Sequence, residues 1–108
     1  MTSFSTPFVA QGSDNPTDHE IIRAVRFQIA AELEAINQYD EIFQVAPNPL
    51  VKDVIRSILL EEKKHLGELT ALLYSLSPID RSLAADGESE VSDILVNQLR
   101  AEPTLSGS

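Results

Sequence analysis

Two segments of this chain repeat apolar residues at alternating steps of three and four, and both repeats are interrupted by ionisable side chains. The first seam runs Ile22, Val25, Ile29, Glu32, Ile36, Tyr39, Phe43. The second runs Val51, Ile55, Ile58, Glu62, His65, Leu69, Leu72, Leu76. Such spacing places every member of a seam on one face of an α-helix. A carboxylate in an apolar seam is costly unless it is neutralised, paired or bound to a cation. Glu32, Glu62 and His65 are therefore the residues whose presence has to be explained.

The helices themselves are well punctuated. Thr17-Asp18-His19-Glu20 has the form of a capping box, which starts a first helix at about Asp18 and lets it run to about Gln44. Ala46-Pro47-Asn48-Pro49 breaks it, with Asn48 able to cap a second helix and Pro49 suited to its first turn. That helix continues to about Leu76 and stops before Pro78, because a proline disfavours the helical region for its predecessor. Gly67 lies inside it, where glycine is unfavourable relative to Ala, and is read as a close helix contact. The link is short, so the two helices form an antiparallel hairpin. Beyond Pro78, Val91, Ile94, Leu95 and Leu99 predict a short third helix over about 90–99, capped by Ser89 or Asp86. Residues 1–16 read as a disordered leader, 17–100 as the folded part, and 101–108 as a flexible polar tail.

With 108 residues the chain holds one small domain, near the size at which a single core is marginal. It has no cysteine, which rules out disulfides and thiolate metal sites as the remedy. Val54, Leu59, Leu60, Leu66 and Leu73 add apolar rows beyond the second seam, more than one hairpin can cover, so a second copy is the expected partner. Seventeen acidic against eight basic residues give a formal charge of −9, which repels nucleic acid and anionic membrane and attracts cations. The sequence has neither a membrane-spanning apolar run nor a signal peptide at its start, so a soluble cytoplasmic protein is expected.

Glu62 and His65 form Glu-x-x-His, which presents a carboxylate and an imidazole on one helix face. Glu32 lies about 15 residues before the interhelix break and Glu62 about 14 after it, so an antiparallel hairpin brings the two level. One chain offers three ligands, too few for two metals. Two copies offer two Glu32, two Glu62 and two His65, the inventory of a di-iron carboxylate four-helix bundle. The bland alternative is a buried ion pair or a polar layer that sets helix register. Tyr39 is either plain core or a hydrogen-bond partner of a ligand. Glu34 and Glu61 are either solvated or part of a carboxylate ring that draws cations inward.

The segment Ala31-Glu-Leu-Glu-Ala-Ile-Asn-Gln-Tyr-Asp40, followed by Leu60-Glu-Glu-Lys-Lys-His65, resembles the encapsulated ferritins, short members of the ferritin-like superfamily carried inside encapsulin nanocompartments. The likeness spans roughly residues 18–100. It implies an all-α fold in which the hairpin, with its short C-terminal helix, dimerises into a ferritin-like four-helix bundle. It implies that Glu32, Glu62 and His65 bind iron between two subunits as a shared di-iron centre, with Glu62 chosen here as the bridging ligand. It further implies dimers assembled into a ring of ten, ferroxidase activity that oxidises Fe(II) with O2 for storage or detoxification, and an encapsulin shell as partner. Three positions depart from the family pattern: Ala31 and Lys64 stand where an acid is common, and Gln38 where Trp is common. Thr104-Leu-Ser-Gly-Ser108 resembles part of the family's cargo tail. Two other readings remain open from the residues alone: a Mn, Zn or peroxide-linked ferritin-like protein without ferroxidase activity, and a structural or adaptor helical dimer.

Overall fold

The computed structural model describes residues 17–106, with side chains through residue 101. The expected leader and the last two residues lie outside that range. The described residues form three helices: α1 Asp18–Val45, α2 Pro49–Leu76 and α3 Pro78–Ser106.

α1 begins as its sequence dictates. Glu20 N donates to Thr17 Oγ1 at 3.2 Å and Thr17 N donates to Glu20 Oε1 at 3.0 Å, so the capping box closes on both sides. Asp18 and Glu20 also place negative charge at the positive end of the helix dipole. α1 ends at Ala46, whose extended backbone still donates to Ile42 O at 2.9 Å. Asn48 then caps α2, its Oδ1 accepting from Leu50 N at 2.8 Å and from Val51 N at 3.4 Å. Lys52 Nζ donates to Phe43 O and sits 4.7 Å from the Phe43 ring centroid. One side chain thus satisfies a carbonyl left open at the end of α1 and ties it to the start of α2.

The hairpin is antiparallel. Asp18, Ile21 and Ile22 meet Ser75 and Leu76 at one end, Phe43 meets Lys52 at the other, and Glu32 meets Glu62 between them. On α1 the sequence seam is the buried seam: Val25 is 8% exposed, and Ile22, Ile29, Glu32, Ile36, Tyr39 and Phe43 are all half-buried. On α2 the buried ridge is rotated by one position. Leu59 and Leu73 are buried and Leu66 half-buried; of the predicted seam, Ile55, Ile58, Glu62 and Leu69 are half-buried, whereas Val51, His65, Leu72 and Leu76 are exposed. Two heptad rows competed for the α1-facing side, Leu59-Leu66-Leu73 and Ile58-His65-Leu72. The row without an imidazole buries more apolar surface and wins.

Gly67 does not mark a close contact within the chain: a Cβ built there meets nothing within 4 Å. Gly67→Ala is therefore expected to stabilise the protein by about 0.5–1 kcal/mol, through helix propensity alone. Urea unfolding checks this, and a loss of stability would mean that something packs there.

The third helix corrects the sequence expectation. It spans 29 residues, Pro78–Ser106, not a short stretch near 90–99. Its cap is Ser77, not Ser89 or Asp86. Ser77 is 5% exposed, its Oγ accepts from Asp80 N at 3.4 Å and its carbonyl accepts from Arg81 N at 3.2 Å. Pro78 stops α2 and, at the first helical position, starts α3; the same residue does both because its missing N–H costs nothing there. The hairpin and α3 are two compact units, divided between Leu76 and Ser77. α3 keeps Ile79, Leu83, Val91, Ile94, Leu95 and Leu99 more than half exposed.

Candidate metal centre

Midway along the hairpin, the ionisable interruptions of the two seams come together. One ligand atom each from Glu32, Glu62 and His65 lies within 4.8 Å of the other two. Glu62 and His65 are one helical turn apart, with His65 Nδ1 3.5 Å from Glu62 Oε1, and their side chains are 19% and 48% exposed. Glu32 arrives from α1 at the same level. The group therefore faces outward on the His65 side and is enclosed on the Glu32 side.

The electrostatics of the two carboxyls are unusual. A hydrogen bond with Glu62, burial and the Glu62 charge raise the Glu32 carboxyl above its ordinary range, with His65 pulling the other way. Two carboxylates have no donor between them, so only a shared proton or a cation can join them. Glu32 Oε2 is buried and has no hydrogen-bond partner among the described residues. An orphaned carboxylate oxygen beside a second carboxyl and an imidazole is a donor set that fits a divalent first-row metal.

The sign of the pH dependence follows. A carboxyl with a raised pKa in the folded state contributes stability below the ordinary carboxylate range and loses it as pH rises through the raised value. Metal-free protein is therefore expected to melt at a higher temperature as pH falls from neutral into that range, and Glu32→Gln to flatten the trend. A divalent cation reverses it, because protons compete with metal for the same oxygens. Melting curves with and without chelator check both signs.

The other residues singled out in the sequence are placed as follows. Glu34 lines an open groove on α1 with Gln28, Ala31, Glu32, Ala35 and Gln38. Glu61 is ion-paired with Lys64 at 3.1 Å on an exposed face, a pair worth little to stability. Tyr39 is half-buried on the α1 seam and makes no hydrogen bond to Glu32, Glu62 or His65. The α1 groove was missed in the sequence, although Gln28, Ala31, Ala35 and Gln38 step by three, four and three beside the main seam.

No protein-family model matches the chain. Over 82 residues, 75% of its length, it is 34% identical to the ferritin-like–encapsulin shell fusion protein of Pyrococcus furiosus. Over 74 residues, 68% of its length, it is 31% identical to the encapsulin nanocompartment cargo protein EncC of Myxococcus xanthus. These matches cover 24% and 57% of the two relatives, so the chain corresponds to only part of each. The structure is similar to the crystal structure of the encapsulated ferritin domain from Pyrococcus furiosus, with a TM-score of 0.75 and 30% identity over 82% of this chain and 91% of that one. The chain belongs to the encapsulated ferritin family. As in that ferritin domain, the fold is helical, and no strand is present among the described residues. No described helix is long and apolar enough to cross a membrane.

Proposed function

We propose that this encapsulated ferritin is a ferroxidase subunit whose site is completed by a second copy of the chain. The observation that carries the reading is the Glu32, Glu62 and His65 group, with ligand atoms within 4.8 Å of one another and one carboxylate oxygen orphaned. One hairpin supplies two carboxylates and one imidazole. Two supply four carboxylates and two imidazoles, enough to hold a pair of Fe(II) ions as substrate between the subunits.

Each residue has a separate task. Glu62, which lies 3.5 Å from His65 and level with Glu32, would be the bridging ligand. Glu32 supplies the oxygen that has no donor of its own, and His65 presents its ring from the exposed side. Four carboxylates offset the charge of the incoming cations and of the Fe(III) product. The chemistry is the loss of one electron per Fe(II) to O2. In a dimer, the apolar seams above and below would keep bulk water from the ligands.

The partners follow from the relatives. One relative is fused to an encapsulin shell and another is an encapsulin cargo protein, so this chain is proposed to work inside such a compartment in the cytoplasm. Dimers assembled into a ring of ten complete the proposal. The test is aerobic addition of Fe(II) to metal-free protein, followed by absorbance. Oxidation that saturates near one iron per chain supports the reading, and a rate no greater than that of buffer overturns it.

A further inference from the structure

Gly67 has no packing role within the chain. It is exposed, a Cβ built on it meets nothing within 4 Å, and glycine inside a helix is unfavourable relative to Ala. Three residues on, Thr70 Oγ1 donates to Leu66 O at 2.8 Å. The same carbonyl is the regular helical acceptor for Thr70 N. A hydroxyl returning to the preceding turn competes with that bond and lets a helix bend. Two separate features therefore loosen one turn of α2, residues 66–70.

The place of that turn gives the loosening a use. His65 immediately precedes it. Helical side chains lean toward the N-terminus, so a side chain at 67 would cover the turn 63–66, and glycine leaves the backbone there open to water. The helix opposite is built differently: α1 has no Gly, Pro, Ser or Thr from Asp18 to Val45. Glu32 thus stands on a stiff support, and His65, its side chain 48% exposed, on a loosened one. The ligand group calls for such freedom. Its three ligand atoms are spread over up to 4.8 Å, whereas bonds of about 2.0–2.2 Å, the range for zinc, hold two ligands of one ion no more than about 4.4 Å apart. The group closes on an ion by drawing inward, and the open His65 side is the one with room to move.

We propose that Gly67 and Thr70 are positioning residues. They keep the turn after His65 loose in the metal-free protein, so that the imidazole swings in toward Glu62 and Glu32 when a divalent cation enters. The turn gives up helix stability for a movable ligand, the usual trade between stability and activity at a working site. The proposal rests on the metal reading of Glu32, Glu62 and His65 and names what lets that group close.

The test compares the full chain with Gly67→Ala, Thr70→Val and the double variant. Amide hydrogen exchange of the metal-free proteins comes first. Amides of residues 67–71 in the wild type are expected to exchange about tenfold faster than those of residues 55–59, and the double variant to slow them about tenfold. Thr70→Ser keeps the hydroxyl and is expected to keep the fast exchange. Co(II), followed by its absorbance, is then titrated into each protein. The double variant is expected to bind it about tenfold more weakly, as when the support of a metal ligand is lost, although it melts at a higher temperature. A merely structural role for the two residues moves melting and exchange but not Co(II) affinity, and that result overturns the proposal. So does a wild-type turn that exchanges no faster than residues 55–59. Should Gly67→Ala fail to fold, Thr70→Val alone is expected to weaken Co(II) binding about threefold, and unchanged binding overturns the proposal. A wild type that shows these Co(II) differences from its variants yet leaves Fe(II) unoxidised supports the positioning role while overturning the ferroxidase reading. A wild type that binds no Co(II) overturns both.

Discussion

Glu62→Ala is expected to reduce aerobic Fe(II) oxidation by the metal-free protein to the rate of buffer, a loss of about a hundredfold or more. The size follows from where Glu62 sits. It lies level with Glu32 and 3.5 Å from His65, so its removal deletes the carboxylate that neighbours both other ligands. Loss of a residue that merely orients a metal ligand costs 10- to 100-fold, and loss of a ligand that neighbours both others costs more. Two neighbours calibrate the result. Glu61→Ala removes an exposed ion pair with Lys64 and is expected to leave the rate unchanged. Glu34→Ala alters the groove outside the ligand group, and its effect is expected to fall on the apparent affinity for Fe(II) more than on the rate at saturation. Initial rates against Fe(II) concentration separate the three. A Glu62→Ala protein that keeps wild-type rates would remove this group from the chemistry.

The second large effect runs the other way. Replacing Glu32, Glu62 and His65 together with Leu is expected to raise the stability of the metal-free protein by about 1–4 kcal/mol while abolishing metal binding. Two carboxyls crowded at mid-hairpin, one with a buried oxygen that nothing satisfies, weaken the fold in the absence of a cation. Apolar residues of similar volume complete both seams and carry no desolvation cost. Most of the gain comes from the two Glu positions, since the His65 side chain is already 48% exposed. Urea unfolding in chelator measures it. A less stable triple variant would show that the polar group holds the hairpin's register, which is the structural-dimer reading. Single Leu substitutions do not test this, because they leave a partner stranded.

The hairpin was legible because its signals are local. Thr17 and Glu20, Asn48 and Pro49, and the run without Gly or Pro in α1 fix each terminus within a residue or two. The level of Glu32 with Glu62 followed from counting along two helices of 1.5 Å rise per residue. What counting could not decide was rotation. Leu59-Leu66-Leu73 and Ile58-His65-Leu72 are adjacent rows, and packing against α1 selects the one without an imidazole. The consequence matters for function, because it leaves His65 at the open edge instead of in the hairpin's centre. α3 was misjudged for a different reason. Its apolar residues cluster at 91–99, so periodicity lit up only that part, while the Ser77-Pro78 start was read as an end. The α1 groove escaped notice because alanine and glutamine carry no hydrophobic signal, although their spacing was there to be read.

The claim at the centre of this account is that iron is held between two copies of the chain by Glu32, Glu62 and His65. Crystals loaded with Fe(II) and measured at the iron absorption edge test it most directly. Two anomalous peaks per dimer are expected, close to the two-fold axis, each within coordination distance of all three residue types and with carboxylates contributed from both chains. A single iron held entirely within one hairpin, or no iron between the helices of a well-ordered dimer, would contradict it.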